Sequence, residues 1–147
     1  MCWEAYAGGI IDGEGCIYSR KYKTQKSKVD GHILPPTYTI MVSVKMTDAA
    51  PIYMLLANFG GNVGQYSLAK SGKLCYTWYV GGDKAKDFLT RIEPWVFGKK
   101  NQLLKALEFP VNKQGVYLSP ENKKKQEELF EDLKVLKHLP YNSQEEN

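Results

Sequence analysis

Asp12 and Glu14 are the two acids of a glycine-rich segment, GGIIDGEGC, that begins at Gly8. Apolar residues recur at helical spacing just before them, which predicts a short helix from Trp3 to Asp12. Each glycine inside a helix costs roughly 1 kcal/mol relative to alanine, so a pair of them requires a compensating contact. A partner backbone too close for any Cβ would provide it. We therefore predict a dimer face with few side-chain atoms on one side of this helix, formed by Ala5, Gly8, Gly9 and Asp12.

A two-fold axis along this face would bring two copies of Glu14 together at helix C-termini. The helix dipole disfavours anions there, and the two carboxylates repel each other. A divalent cation relieves both effects, and Mg²⁺ prefers carboxylate, water and phosphate oxygens as ligands, with Mn²⁺ as a substitute. The segment thus predicts a metal site rather than a pocket for a small-molecule substrate. The alternative interpretation is that IDGEG is only a helix end running into a turn.

Basic residues are concentrated in one part of the chain. Residues 17–45 contain six basic residues and a single acid, Asp30, although the whole chain carries a net charge of only +4. They are interspersed with Tyr18, Tyr22 and Tyr38. This combination is typical of a face that binds a polyanion such as nucleic acid, and a solvated loop is the alternative.

The order of elements predicts an α+β fold in a single domain, residues 1–147. Alternation predicts strands from Gly15 to Tyr22 and over TYTIMVSVK, then a hairpin over NVGQYSLAKSGKLCYTWYV. One helix is expected between Asp48 and Gly60, and another begins at Asp83. A C-terminal helical extension is expected at about residues 119–140. The helices would cover one face of a four-stranded antiparallel sheet and leave the other face open.

Composition excludes several classes of site and location. The chain has three cysteines without metal-type spacing and two distant histidines, which argues against zinc sites and histidine-based nucleases. No apolar run reaches membrane-spanning length, and no charged leader precedes a hydrophobic stretch. We therefore expect an intracellular protein, cytoplasmic or organellar, that is not secreted and has no membrane partner.

Four segments in this order resemble the LAGLIDADG homing endonucleases of the single-motif, homodimeric type. They are AGGIIDGEG, VKMTDAAPIYMLLANFGGNV, YTWYVGG and IEPWVFGKKNQLLKALEF, and the resemblance extends over most of the chain. The family's αββαββα fold, in which two copies form a saddle over double-stranded DNA, matches the predicted order of elements. The resemblance implies a metal-dependent double-strand cut in a long, roughly palindromic target, by a protein whose gene belongs to a mobile element such as an intron.

The resemblance also implies roles for individual residues. Glu14 and the carbonyl of Gly13 would bind the catalytic metal, and Lys99 would stand near the scissile phosphate. Lys100 adjoins Lys99, so a shift of one residue remains an alternative. Met46 stands where the family often has a glutamine at the end of the second strand, which leaves the water-positioning role unassigned.

Recognition would use the open face of the sheet in the major groove of DNA. By alternation from Glu14, the first strand would present Cys16, Tyr18, Arg20 and Tyr22. Arg20 is the candidate for reading guanine, and a phosphate contact is its alternative. Lysines of the long loop would bind phosphates: Lys21, Lys23, Lys26 and Lys28. The remaining predicted contacts are Thr39, Met41, Ser43, Lys45, Tyr66, Thr77, Tyr79 and Lys100.

Two other classes of function are compatible with these patterns. An intron-splicing maturase, or a DNA- or RNA-binding protein that no longer cleaves, could use the same fold. A structural oligomer with an incidental basic face would retain no DNA at physiological salt.

Overall fold

Alternating apolar and polar residues form four strands that pair into one antiparallel sheet. The computed structural model describes residues 1–23, 31, 35–68, 72–113 and 116–137. The strands are β1 (Gly15–Tyr22), β2 (Thr37–Met46), β3 (Asn62–Leu68) and β4 (Leu74–Gly81). Their order in the sheet is β1-β2-β4-β3, so β2 and β4 form its centre.

Five α-helices accompany the sheet in the described part of the chain. They are α1 (Trp3–Glu14), α2 (Ala49–Phe59), α3 (Asp83–Ile92), α4 (Lys100–Leu107) and α5 (Pro120–Lys137), with a 3₁₀ turn at Glu93–Trp95 between α3 and α4. The α1 helix is two residues longer than predicted, so it ends on Glu14 itself. None of the described helices combines the length and hydrophobicity that crossing a bilayer requires.

Local sequence signals explain where α2 begins and ends. The Asp48 side chain accepts a hydrogen bond from the backbone N–H of Ala50 at 3.1 Å, which caps the first turn. Gly60 follows the last turn with a φ of 72°, a conformation that favours glycine. The indole Nε1 of Trp78 donates to the Gly60 carbonyl at 2.8 Å and joins this helix end to β4. The same contact fixes α2 against the helix-covered face of the sheet.

The hydrophobic core lies between the sheet and the helices. Alternate residues of β2 and β4 are buried there, including Ile40, Val42, Val44, Trp78 and Val80. Three leucines on one side of α5 are buried as well: Leu129, Leu133 and Leu136. This arrangement confirms the predicted α+β fold with helices on one face of an antiparallel sheet.

None of the five helices in the described ranges covers the opposite face of the sheet. Strand register aligns its side chains in rows, such as Cys16, Ser43 and Tyr79 across β1, β2 and β4. Arg20 pairs with Thr39 in a second row. We refer to this surface, formed by the alternate residues of the strands that point away from the helices, as the open face.

Candidate functional site

Glu14 lies where α1 meets the open face. Its exposed carboxylate borders a cleft lined by Lys45, Met46, Thr47, Asp48 and Cys75. Lys45 belongs to the open face, because it pairs with Thr77 in the central rows. The junctions between α1 and β1 and between β2 and α2 therefore bring an anion and a cation to one edge of the uncovered surface.

The ammonium group of Lys99 binds the carbonyl end of α1. Its Nζ donates to the backbone carbonyls of Ile11 and Asp12, each at 2.9 Å. A cation at a helix C-terminus is favourable, since the carbonyl groups there carry partial negative charge. This contact places a positive charge on the same helix end that carries Glu14.

Lys100 points to a different part of the chain. Its ammonium group binds the carboxylate of Glu93 at 2.9 Å and also the Glu93 backbone carbonyl. Of the two adjacent lysines left open by the sequence, the structure thus brings Lys99 to the end of α1 and ties Lys100 to the preceding turn.

The carboxylate of Asp12 faces its own chain. It accepts hydrogen bonds from the backbone N–H of Phe97 at 2.9 Å and from that of Lys99 at 3.2 Å. The Asp12 side chain is thus directed at its own chain, whereas the sequence placed it on the dimer face. The reason is that the segment between the 3₁₀ turn and α4 offers two backbone donors on that side of α1.

The glycines of α1 divide between two sides of the helix. A Cβ on Gly8 would lie 2.8 Å from the Cβ of Trp95, so Gly8 allows a close approach within the chain and does not form the predicted dimer face. A Cβ on Gly9 or Gly13 would meet nothing within 4 Å. Ala5 is half-buried between the two sides. Gly9 is the one predicted face residue that is fully open.

The open side of α1 contains further apolar residues. Tyr6 is 43% exposed and Trp3 is 38% exposed, and their rings meet edge to face with centroids 6.4 Å apart. We refer to the surface formed by Trp3, Tyr6, Gly9, Ile10 and Gly13 as the bare face of α1. It combines aromatic area with two positions that allow another backbone to approach closely.

The open face contains most of the side chains predicted to contact DNA. They are Tyr18, Arg20, Tyr22, Thr39, Met41, Ser43, Lys45, Thr77 and Tyr79, which alternate with the buried residues of β1, β2 and β4. The Arg20 guanidinium lies over the Tyr22 ring, 5.1 Å from its centroid. Met41 is only 8% exposed, so it is a minor part of this surface.

The lysines assigned to the long loop have different positions. Lys21 is part of β1 rather than the loop, and its register partner is the buried Tyr38. Its ammonium lies 5.7 Å from the centre of the Tyr38 ring, which places it on the helix side of the sheet. Lys23 is exposed just beyond β1. Lys26, Lys28 and the side chain of Tyr66 lie outside the described residues.

The donors near Glu14 fit a hard divalent cation but do not form a complete site in one chain. Among the described residues, no three His, Cys, Asp or Glu side chains are placed so that they could hold a metal ion together. Asp48 shares the cleft, but one of its carboxylate oxygens caps α2. Glu14 and the nearby carbonyl of Gly13 are oxygen donors, which suit Mg²⁺. A second copy of the chain and a substrate phosphate are two sources of further oxygen ligands.

The sequence indicated no role at the site for Cys75 and placed Asp12 on a dimer face. Cys75 belongs to the open face, as alternation along β4 predicts, and it lines the cleft with Glu14. Asp12 was assigned to a dimer face because helical spacing alone could not show the amides of Phe97 and Lys99, more than 80 residues away.

No protein-family model and no curated protein sequence matches the chain. Solved structures of homing endonucleases do match it. I-Vdi141I, an archaeal intron-encoded homing endonuclease complexed with DNA, has a TM-score of 0.69 at 18% identity, over 97% of this chain and 91% of that one. I-TnaI has a TM-score of 0.62 at 20% identity, over 90% and 94%.

A third similar structure is I-CvuI in complex with the I-CreI target in the presence of 2 mM Mg. Its TM-score is 0.56 at 14% identity, over 94% of this chain and 96% of that one. At these identities the likeness establishes the fold. The resemblance to homing endonucleases drawn from the sequence is confirmed at that level.

Proposed function

We propose that this protein is a site-specific DNA endonuclease that acts as a homodimer and requires Mg²⁺ or a similar divalent cation. The observation that carries the proposal is the position of Glu14. Its carboxylate is exposed at the edge of the open face, in a cleft with Lys45 and on the helix end that Lys99 binds. An acid and two cations beside a polar surface suit phosphodiester chemistry.

DNA would lie on the open face, with the strands in the major groove. The eight residues of β1 span roughly 26 Å at about 3.3 Å per residue, enough for several base pairs. Arg20 and Thr39 offer hydrogen-bonding groups in one row, and Ser43 and Tyr79 in another. I-Vdi141I and I-CvuI, which share the fold, were both solved with DNA, which supports DNA as the ligand.

The bare face of α1 would form the dimer contact. Gly9 and Gly13 admit a second backbone, while Trp3, Tyr6 and Ile10 provide apolar area that a partner would bury. A two-fold axis through this face brings two Glu14 carboxylates towards each other. The same arrangement would supply oxygen ligands in addition to those that the described part of one chain brings to Glu14.

Residues of the chain would then divide the work of hydrolysis. The cation, when bound, supplies Lewis acidity towards a phosphoryl oxygen and acidifies water. Glu14 would hold it through a carboxylate oxygen, and Gly13 through its carbonyl. Lys99 would offset negative charge that develops on the phosphate, because one of its three N–H groups is free of the two helix carbonyls.

Selection from a library of randomised duplexes tests the proposal. The wild-type protein with Mg²⁺ should enrich cleaved molecules with one sequence cut on both strands. Glu14→Gln should abolish cleavage while retaining specific binding, and Glu131→Gln, an exposed change on α5, serves as the matched control. Binding without any cleavage by the wild type would favour a maturase or a non-cleaving binding protein. Equal cutting by Glu14→Gln would refute the metal assignment.

A further inference from the structure

We propose that Asp12 is a positioning residue that holds Lys99 at the end of α1. This inference rests on the proposed function, since it assigns Asp12 a role in the cleavage site rather than in the dimer contact. Asp12 would not touch the substrate. It would act by fixing the backbone that carries the Lys99 ammonium.

The contacts form a closed loop between two segments of the chain. Both carboxylate oxygens of Asp12 are used, one by the N–H of Phe97 at 2.9 Å and the other by the N–H of Lys99 at 3.2 Å. The Lys99 ammonium returns to α1 and donates to the carbonyls of Ile11 and Asp12, each at 2.9 Å. Lys99 is therefore held at both its backbone and its side-chain end by α1.

The chain between these donors lies close to the carboxylate. A Cβ on Gly98 would be 3.7 Å from Asp12 Oδ1, so the segment wraps around the acid at van der Waals distance. Hydrogen bonds that involve a charged group are stronger than those between neutral groups. The Asp12 carboxylate therefore sets the register of residues 97–99 against α1.

This register decides which lysine reaches the site. Lys99 and Lys100 are adjacent, yet Lys99 binds α1 while Lys100 binds Glu93. Loss of the Asp12 contacts would release residues 97–99 from α1, so that Lys99 would no longer be held at the helix end. A lysine held in place before the reaction needs no reorganisation during it, which is the advantage of a preorganised cation.

Asp12→Asn tests the role with little change in size. An asparagine offers one acceptor oxygen in place of two, so one of the two backbone N–H groups loses its partner. In the metal-free, DNA-free protein, hydrogen exchange of the Phe97 amide, the Lys99 amide or both should become about tenfold faster, while α5 amides remain unchanged. Unchanged exchange at both positions would overturn the proposal.

A double-mutant cycle on single-turnover cleavage tests the link to Lys99. Asp12→Asn should lower the rate by about 10- to 100-fold, as for other supporting contacts of active sites, and leave DNA affinity in Ca²⁺ unchanged. Added to Lys99→Met, it should cause little further loss. A full multiplicative loss in the Lys99→Met background would show that Asp12 acts independently and would overturn the proposal.

Phe97→Pro provides a second variant in case Asp12→Asn is unstable. Proline removes the Phe97 N–H without altering α1, and Val96 already has the extended backbone that precedes proline readily (φ −100°, ψ 128°). It should reproduce the rate loss and the faster exchange at Lys99, and failure to do so counts against the proposal. A wild type that cleaves no DNA would refute the proposed function alone, because the exchange measurement still decides the role of Asp12.

Discussion

Asp12 and Lys99 are bonded to each other twice: the Lys99 N–H donates to the Asp12 carboxylate at 3.2 Å, and the Lys99 ammonium donates to the Asp12 carbonyl at 2.9 Å. The two residues are 87 positions apart in the chain. Their contacts attach the start of α4 to the end of α1, which also carries Glu14. The proximity of Glu14 and Lys99 therefore depends on tertiary packing.

Gly9→Val should weaken dimer formation without unfolding the chain. The added side chain meets no other atoms of its own chain, because a Cβ on Gly9 has nothing within 4 Å. It occupies the bare face of α1, where a second backbone would pack. Sedimentation should show a larger monomer fraction than for the wild type. Urea unfolding of the monomer should show a free energy of unfolding close to that of the wild-type monomer. A Gly9→Val protein that dimerises like the wild type would contradict the assigned face.

Gly8→Ala should destabilise the fold, in contrast to the change at Gly9. The new Cβ would lie 2.8 Å from Trp95 Cβ and 2.9 Å from the Trp95 carbonyl oxygen. Such overpacking costs typically about 1–3 kcal/mol, against which alanine gains roughly 1 kcal/mol over glycine in a helix. Urea unfolding under conditions that keep both proteins monomeric measures the net difference, and a Gly8→Ala protein that is more stable than the wild type would mean that Trp95 does not pack against this glycine.

Trp78→Phe should lower the free energy of unfolding through a lost hydrogen bond. The indole N–H binds the Gly60 carbonyl at 2.8 Å, and Trp78 is fully buried. Removing the donor loses this hydrogen bond, at a cost of about 0.5–1.5 kcal/mol, with the loss of indole volume in addition. Tyr79→Phe, on the open face, is the matched control and should change urea unfolding little.

Arg20→Ala and Lys23→Ala should affect DNA binding in different ways. Arg20 is stacked on Tyr22 within the open face, which suits a base contact, so its loss should relax selection at one base pair per half-site by about 1–3 kcal/mol. Lys23 lies beyond the strand, which suits a phosphate contact. Its loss should make the slope of log K against log salt concentration less steep by about 0.9. Binding titrations across salt and target variants separate these effects. Reversal of the two behaviours would exchange the assigned roles.

Glu4→Gln should reduce the sensitivity of the fold to acid. The Arg91 guanidinium binds the Glu4 carboxylate at 2.7 Å, and this hydrogen bond holds the pKa of Glu4 below its usual range. A lowered folded-state pKa contributes stability above the unfolded-state pKa, and this contribution is lost as pH falls through the folded value. Thermal unfolding from neutral to acid pH should therefore show a smaller decline for Glu4→Gln. The effect should be small, because the pair is exposed.

The sequence by itself determined the elements and the side of the sheet on which most residues lie. Alternation predicted β1 with the bounds that the structure has, and Asp48 and Gly60 marked the ends of α2. These features depend on backbone propensity and on the periodicity of burial, which neighbouring residues specify. The chemistry predicted for Glu14 also came from local signals, namely its type and its place at a helix end.

Only the tertiary structure decided how α1 is rotated about its axis. Packing of Gly8 against Trp95 and the hydrogen bonds of Asp12 to residues 97 and 99 turned two of the four predicted face residues inward. The same packing selected Lys99 over Lys100 at the helix end. Small residues and acids on a helix carry no local signal of which neighbour they will meet, because that depends on contacts between segments more than 80 residues apart.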